Sequence, residues 1–209
     1  MADNEPSHKD FQEWMVTKAL AAHLGTRNNE KPERMAWLFD LDVRTPARIS
    51  KLKEMCGFGW EAGEILGGAE LPFKDADRGN LSSDDFRKYL TITPDFRYWT
   101  KKDGKHLIVE AKGTPKPIGQ RDQVQAERYF TYLRDCGHKG AVVYFAPNPE
   151  VWLDWLAKIP KQSDFRFGVV DLTSQVVPKV ANELLRVVGE ALVQTADLLK
   201  EALRFSKTG

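Results

Sequence analysis

Between Leu90 and Pro115 the chain reads LTITPDFRYWTKKDGKHLIVEAKGTP, two strand-like runs joined by a charged Asp103-Gly104-Lys105 turn. The second run is apolar, yet it ends in Glu110-Ala111-Lys112, a carboxylate and an ammonium on either side of one methyl group. Side chains alternate along a strand, so Glu110 and Lys112 share one face while Val109 and Ala111 share the other. On the first run Asp95 follows Pro94, a residue better tolerated at a strand start or edge than in a central ladder. With the two runs paired as neighbours, Asp95 falls opposite the Glu110 end. Two converging carboxylates repel unless a cation lies between them, and hard oxygen donors with room for water and a phosphate favour Mg²⁺ or Mn²⁺. Together with Lys112 the set describes a metal-assisted phosphodiester hydrolase. Asp95 and Glu110 would hold a metal that polarises the scissile phosphate and acidifies a bound water. Lys112, a compact charge on a flexible stem, would orient that water or stabilise charge building on the phosphate.

The run RDQVQAERYFTYL reads as a helix from about Arg121 to Arg134, with Gln125 and Tyr129 one turn apart on one face. They can support the lysine or touch a substrate backbone; taken alone, Tyr129 reads equally as an aromatic at the core edge. Around this centre, Ser7 to Leu24 is expected as a helix, with Phe11, Trp14, Met15, Ala19 and Ala22 near 3.6 spacing and Gly25 as its stop. Thr26 to Arg34 reads as a loop. A second helix is expected to begin at Thr45 as N-cap with Pro46 in its first turn and to end near Gly57, followed by a short helical turn in WEAGEILGG. Leu71 to Asp85 is turn-rich. KGAVVYFAPN reads as a buried strand, VWLDWLAKI as a short amphipathic helix, and FRFGVVDL as another strand. From Pro178 to Phe205 a long helix carries an apolar stripe that includes Val180, Leu184, Val187, Ala191, Leu198 and Leu203. The order predicts an α/β fold with a mixed central sheet flanked by helices. It is organised as one domain over 1–209: a helical part over 1–57, a catalytic core over 58–175 and a C-terminal helix over 176–209.

The residues Pro94-Asp95, then Glu110-Ala111-Lys112 at the end of the next strand, then Gln125-Ala126-Glu127-Arg128-Tyr129 resemble the motifs of the PD-(D/E)xK nuclease superfamily. The last element is similar to the Gln-x-x-x-Tyr of its RecB-type and CRISPR-adaptation nucleases. The likeness covers roughly Trp60 to Asn148. It implies a restriction-endonuclease-like core, cleavage of DNA with Mg²⁺ or Mn²⁺, and catalytic roles for Asp95, Glu110, Lys112, Gln125 and Tyr129. It also implies the carbonyl of Ala111 as a further metal ligand, and an acid on a helix ahead of the Pro-Asp strand. Glu61 and Glu64 are the candidates for that acid, Glu64 preferred because Ile65 and Leu66 could bury its turn, with Glu13 as a weaker third. An acid-x-Lys triplet alone means little, since Asp103-Gly104-Lys105 is another; order and spacing carry the resemblance. The plainer alternative is a solvated Glu110–Lys112 pair with Asp95 capping a turn.

Net charge is only +1, yet Arg97 to Arg121 holds seven Lys or Arg against two acids, so positive charge is local to the hairpin. Lys101, Lys102, Lys105, Lys116 and Arg121 would meet phosphates on either side of a cut, unless they are only solvated hairpin charges. The opening MADNEPSHKD lacks the basic and apolar segments of a signal peptide, and no run approaches the roughly 20 apolar residues of a membrane span, so a cytoplasmic protein with no membrane partner is expected. Cys56 and Cys136 show no Cys-x-x-Cys spacing and read as free thiols, so neither a disulfide framework nor a cysteine-held iron–sulfur or zinc site is supported. His8, His23, His106 and His138 show no metal-pair spacing; His106 is expected at the surface. Asp75 to Asn80 resembles a calcium loop, but Phe86 stands where its closing glutamate belongs, so a turn is expected. Three functions fit: a DNA exonuclease or endonuclease in repair, recombination, defence or a mobile element; a nucleic-acid-binding protein of the same fold that no longer cuts; or an interaction protein whose C-terminal helix pairs with a second copy or a partner.

Overall fold

The computed structural model describes residues 8–25, 32–57, 65–100, 104–117, 119–159 and 165–205. In chain order these form α1 (His8–Leu24), α2 (Pro32–Phe39), β1 (Asp42–Arg44), β2 (Ile49–Lys51), α3 (Leu52–Cys56), β3 (Ile65–Ala69) and α4 (Ser83–Phe86). They continue with β4 (Phe96–Thr100), β5 (His106–Ala111), α5 (Gly119–Asp135), β6 (Gly140–Ala146), α6 (Pro149–Leu156), β7 (Phe165–Asp171) and α7 (Ala181–Phe205). One mixed seven-stranded sheet has the order β2-β1-β7-β6-β5-β4-β3. Strands β5, β6 and β7 are parallel, and antiparallel pairs extend the sheet on either side. Helices α5 and α6 are the crossovers between the parallel strands and pack on one face through Tyr129, Phe130, Leu133, Trp152 and Leu156. Against the other face lie α1, α2, α3 and the start of α7, through Leu20, Leu24, Leu38, Phe39, Leu52 and Leu184. The result is an α/β fold with helices on both faces of the sheet and a long C-terminal helix. Among the described residues no helix is long and apolar enough to cross a membrane.

The expected hairpin forms, with Phe96 opposite Val109 and Gly104 at φ +59° in the turn. The long helices α1, α5 and α7 begin and end within a few residues of their expected bounds. Three segments depart from the sequence reading. Thr45 does not cap a helix: its hydroxyl accepts the Arg48 N–H at 3.1 Å and donates to the Arg48 carbonyl at 2.8 Å, closing the turn between β1 and β2. A threonine bonding to the amide three residues on serves a tight turn as well as an N-cap. Here the following residues, Ile49–Lys51, pair with β1 instead of coiling, and only Leu52–Cys56 is helical. The end of WEAGEILGG is likewise extended, not helical: Ile65–Ala69 is β3, and at Gly67 a Cβ would lie 2.0 Å from the Arg97 carbonyl oxygen, so only glycine permits that approach to β4. Helix α2 begins at Pro32, inside the stretch read as loop.

Burial also corrects two side chains. On α1 the buried side chains are Thr17, Ala19, Leu20, Ala21, His23 and Leu24, of which Ala19 alone belongs to the expected stripe; Trp14 is 40% exposed, and the side chain of Phe11 lies outside those described. His106 is buried, not at the surface, and stacks on His138 with ring centroids 4.0 Å apart; desolvation pushes its pKa down to about 2. Cys56 and Cys136 are free thiols, both buried, and burial raises both pKa values, that of Cys136 to about 12. Asp75–Asp77 forms a single 3₁₀ turn. On α7, Val187 is buried while Leu185, Leu192 and Val193 stay exposed, so apolar side chains lie on both sides of the helix; the side chains of Leu198 and Leu203 lie outside those described.

Candidate functional site

The centre forms where β5 ends. Strands β5, β6 and β7 run parallel, so their carboxyl ends share one edge of the sheet, the edge at which α/β folds place their ligand crevices. The antiparallel β4 starts at the same edge and brings Asp95 there, one residue before its pairing with β5 begins at Phe96. The backbone carbonyl of Asp95 accepts from Glu70 N at 2.8 Å, and its Oδ2 accepts from Ala111 N at 2.7 Å. Asp95 is thus fixed by both neighbouring segments.

Strand alternation sets the rest. Val109 and Ala111 join the core on the α1 side, while Glu110 points towards α5. Tyr129 donates to Glu110 Oε2 at 2.7 Å, and Gln125 Nε2 donates to Glu110 Oε1 at 2.6 Å. Lys112 continues the ladder with β6 through its N–H to the Phe145 carbonyl at 2.8 Å. Its ammonium lies 2.9 Å from Glu13 Oε1, 2.9 Å from Gln125 Oε1, 3.4 Å from Glu110 Oε1 and 3.6 Å from Asp122 Oδ1. Glu13 reaches the site because α1 passes directly over Gly113. A Cβ there would lie 3.0 Å from both Gln12 Cβ and Glu13 N, so any side chain would press the helix away.

Three carboxylates, Glu13, Glu110 and Asp122, therefore surround one ammonium, and Asp95 stands beside Glu13 and Glu110. One oxygen from each of Glu13, Asp95 and Glu110 lies within 4.8 Å of the others, close enough to share a cation. Burial, reinforced by the charge of Glu110, holds the Asp95 carboxyl well above the usual carboxylate range, against the opposing pull of the Ala111 N–H. Burial raises Glu13 too, with Lys112 partly offsetting it. For Lys112, burial works against the charged form, but Glu110, Glu13 and Asp122 outweigh it and keep the ammonium above the ordinary lysine range. Burial first, then the nearby Glu110 charge, raises the Tyr129 phenol.

Asp95, Glu110, Lys112, Gln125 and Tyr129, picked out by type and spacing, thus lie together. Of the three upstream acids considered, Glu13 is in contact with Lys112, while Glu61 and Glu64 lie outside the described residues, as do Lys101 and Lys102. Lys105 sits at the opposite end of β5, its ammonium 2.5 Å from the Gly57 carbonyl, roughly 17 Å along the strand from Glu110 and so not beside the centre. Lys116 is exposed in the loop after β5, and Arg121 is exposed in the first turn of α5. The sequence reading missed Asp122, although it stands three residues before Gln125 and seven before Tyr129 on the same helical face. It also missed Tyr144, which faces Glu110 from β6; its hydroxyl is buried and unpartnered among the described residues, and its ring stacks on Trp152. Compared with known proteins, the chain matches no protein-family model and no curated protein.

Proposed function

We propose that the protein is a metal-dependent deoxyribonuclease with a restriction-endonuclease-like core of the PD-(D/E)xK superfamily, working on DNA in the cytoplasm in repair, recombination, defence or a mobile element. The observation that carries this reading is the meeting of Asp95, Glu110, Lys112, Gln125 and Tyr129, residues from three separate elements, around one cluster of carboxylates. A solvated Glu110–Lys112 pair does not fit, because both side chains are buried.

The donor set suits a hard divalent cation. The clustered atoms are carboxylate oxygens, and among the described residues neither Asp95 Oδ1 nor Glu13 Oε2 accepts a hydrogen bond, which leaves lone pairs for a metal. Asp95, Glu110 and Glu13 would hold Mg²⁺ or Mn²⁺, with the Ala111 carbonyl as a further ligand, and the ion would polarise the scissile phosphate and acidify a water. Gln125 and Tyr129 fix both oxygens of Glu110. Lys112, held by Glu13 and Gln125, sets one positive charge beside the carboxylates, where it can orient the attacking water or meet the charge that develops on the phosphate. Glu13 takes the place of the upstream acid.

The test is cleavage beside folding. Asp95→Ala and Glu110→Ala are each expected to abolish Mg²⁺-dependent cleavage while still melting cooperatively, and full activity in either removes the proposed centre. Mg²⁺ should raise the melting temperature of the wild type by mass action, and Glu110→Ala should lose most of that shift; equal shifts in both proteins place the ions elsewhere. The exposed Leu185, Leu192 and Val193 of α7 favour a second, compatible role, contact with another copy or a protein partner.

A further inference from the structure

Beside the centre lies a groove of about 450 Å³ between the segment Thr91–Thr93 and one face of α5. The helix contributes Gln120, Arg121, Val124, Gln125 and Arg128, positions that recur at helical spacing as one stripe. Thr91 and Thr93 form the facing wall, directly ahead of Pro94-Asp95, and both are exposed. The wall is fixed: Ile92 is buried, its N–H donates to the Tyr89 carbonyl at 3.0 Å, and its carbonyl accepts from Phe73 N.

Two features make this groove more than a surface depression. It runs into the carboxylate cluster, because Gln125 and Tyr129 both line it and both donate to Glu110. Its charge is also of one sign: Arg121 and Arg128 line it, and no carboxylate does. Arg128 is exposed and has no ion pair among the described residues. An acidic centre repels the phosphates it must approach, so a cationic lead-in is what a polyanionic substrate requires. Guanidinium groups suit that task, since their planar fork matches phosphate oxygens. By contrast, the neighbouring depression around Lys116, Trp155 and Lys158 also contains Asp154 and is mixed in sign. The groove's volume falls within the roughly 300–1,000 Å³ of sites that take one small ligand. That is room for one or two nucleotides of a single strand, with Val124 and Ile92 as apolar wall for sugar or base.

We propose that this groove is the track of an unpaired DNA strand, its phosphates held by Arg121 and Arg128 and by the hydroxyls of Thr91 and Thr93, leading the strand along α5 to Glu110. The assignment rests on the nuclease reading and adds to it the route and the single-stranded character of the flank being cut.

The experiment is fluorescence anisotropy of a labelled single-stranded oligodeoxynucleotide, and of the same oligonucleotide annealed to its complement, in Ca²⁺ across a salt series. The proteins are the wild type, an Arg121→Gln/Arg128→Gln double variant, and Lys179→Gln, which removes an exposed charge next to α7 on the opposite face of the sheet. The double variant should bind the single strand at least about tenfold more weakly. Its salt slope should be shallower by about 1.4, two phosphate contacts at roughly 0.7 each. Lys179→Gln should change affinity less than about twofold, and the Mg²⁺-induced melting shift should persist in the double variant because the carboxylates are untouched. If the wild type cleaves DNA but the double variant binds like the wild type, or only as weakly as Lys179→Gln, the strand runs elsewhere and the nuclease reading stands without this groove. A larger loss on the duplex than on the single strand overturns the single-stranded assignment. A wild type that neither binds nor cleaves either DNA removes both proposals together.

Discussion

Replacing Lys112 by Met isolates the electrostatic logic of the centre. The side chain keeps its length and apolar bulk but loses the ammonium that lies within 3.6 Å of four acceptor groups, three of them carboxylates. From sequence, Lys112 stands at a strand end, where it would orient the attacking water or stabilise charge on the phosphate, and on that basis the substitution would cost little stability. The structure implies otherwise, because the lysine is buried and is the counter-ion of the cluster. Removing one member of a buried ionic set costs about 3–5 kcal/mol. For a chain of 209 residues, at about 2–4 °C per kcal/mol, the melting temperature should fall by about 6–20 °C in metal-free buffer near neutral pH.

The dependence on pH fixes the mechanism of that loss. Glu13 and Asp95 already have pKa values raised in the folded protein, chiefly by burial, so the folded state binds protons more readily than the unfolded chain. The stability this contributes is fully present below the unfolded carboxylate values, about 4, and is lost as pH rises through the raised folded values. Without the lysine both groups should rise further. The deficit of Lys112→Met relative to wild type should therefore shrink from about pH 8 to about pH 5, and millimolar Mg²⁺ should recover part of it at the higher pH by supplying the missing positive charge. Urea unfolding at the two pH values, with and without Mg²⁺, reads this directly. A deficit below about 1 kcal/mol, or one that does not change with pH, refutes the counter-ion argument.

Two further substitutions probe how the cluster is held. Asp95→Asn removes a carboxylate whose charged form is opposed by burial and by Glu110, while keeping its shape; thermal melting in metal-free buffer should show the variant at least as stable as wild type near neutral pH, and the Mg²⁺ shift should be lost. Gly113→Ala inserts a methyl 3.0 Å from Gln12 Cβ and Glu13 N, so α1 must give way; melting should show a loss of about 1–3 kcal/mol, and cleavage should fall although no proposed ligand or lysine has been changed.

What was legible in the sequence, and what was not, follows from where each interaction is encoded. The hairpin, the Glu110–Lys112 face and the Gln125–Tyr129 face rest on local periodicity, and local periodicity is visible in one dimension. The strand β2 was misread because Thr45-Pro46 carries the same hydrogen-bonding chemistry in a turn as at a helix start; only pairing with β1 decides, and pairing is non-local. The strand β3 has two glycines and little β propensity, and it is extended because Gly67 lets it pass close to Arg97. The acid opposite Lys112 was the least legible part. Glu13 lies 99 residues from Lys112 in sequence, and nothing in its own helix marks it as the partner of that lysine.

That contact also explains why α1 belongs to the centre and is not an appendage to it. Its residues Ala19, Leu20 and Leu24, with Val16 partly buried beside them, pack on the face of the sheet opposite α5, so the apolar anchoring among the described side chains lies in its second half. The bare backbone of Gly113 lets the first turns of α1 close over the end of β5, and Lys112 then draws Glu13 in at 2.9 Å while Gln125 bonds the same ammonium from the other face. The lysine thus ties the two helical layers together across the strand end, and the same charge that suits it to a phosphate makes it the joint between them. Lys112→Met should accordingly loosen the first turns of α1 more than α5, since α5 keeps its bonds from Gln125 and Tyr129 to Glu110. Amide hydrogen exchange tests the difference: faster exchange confined to the first half of α1 is the expected outcome, and equal acceleration in both helices would show that Lys112 supports the fold generally, with no particular hold on Glu13.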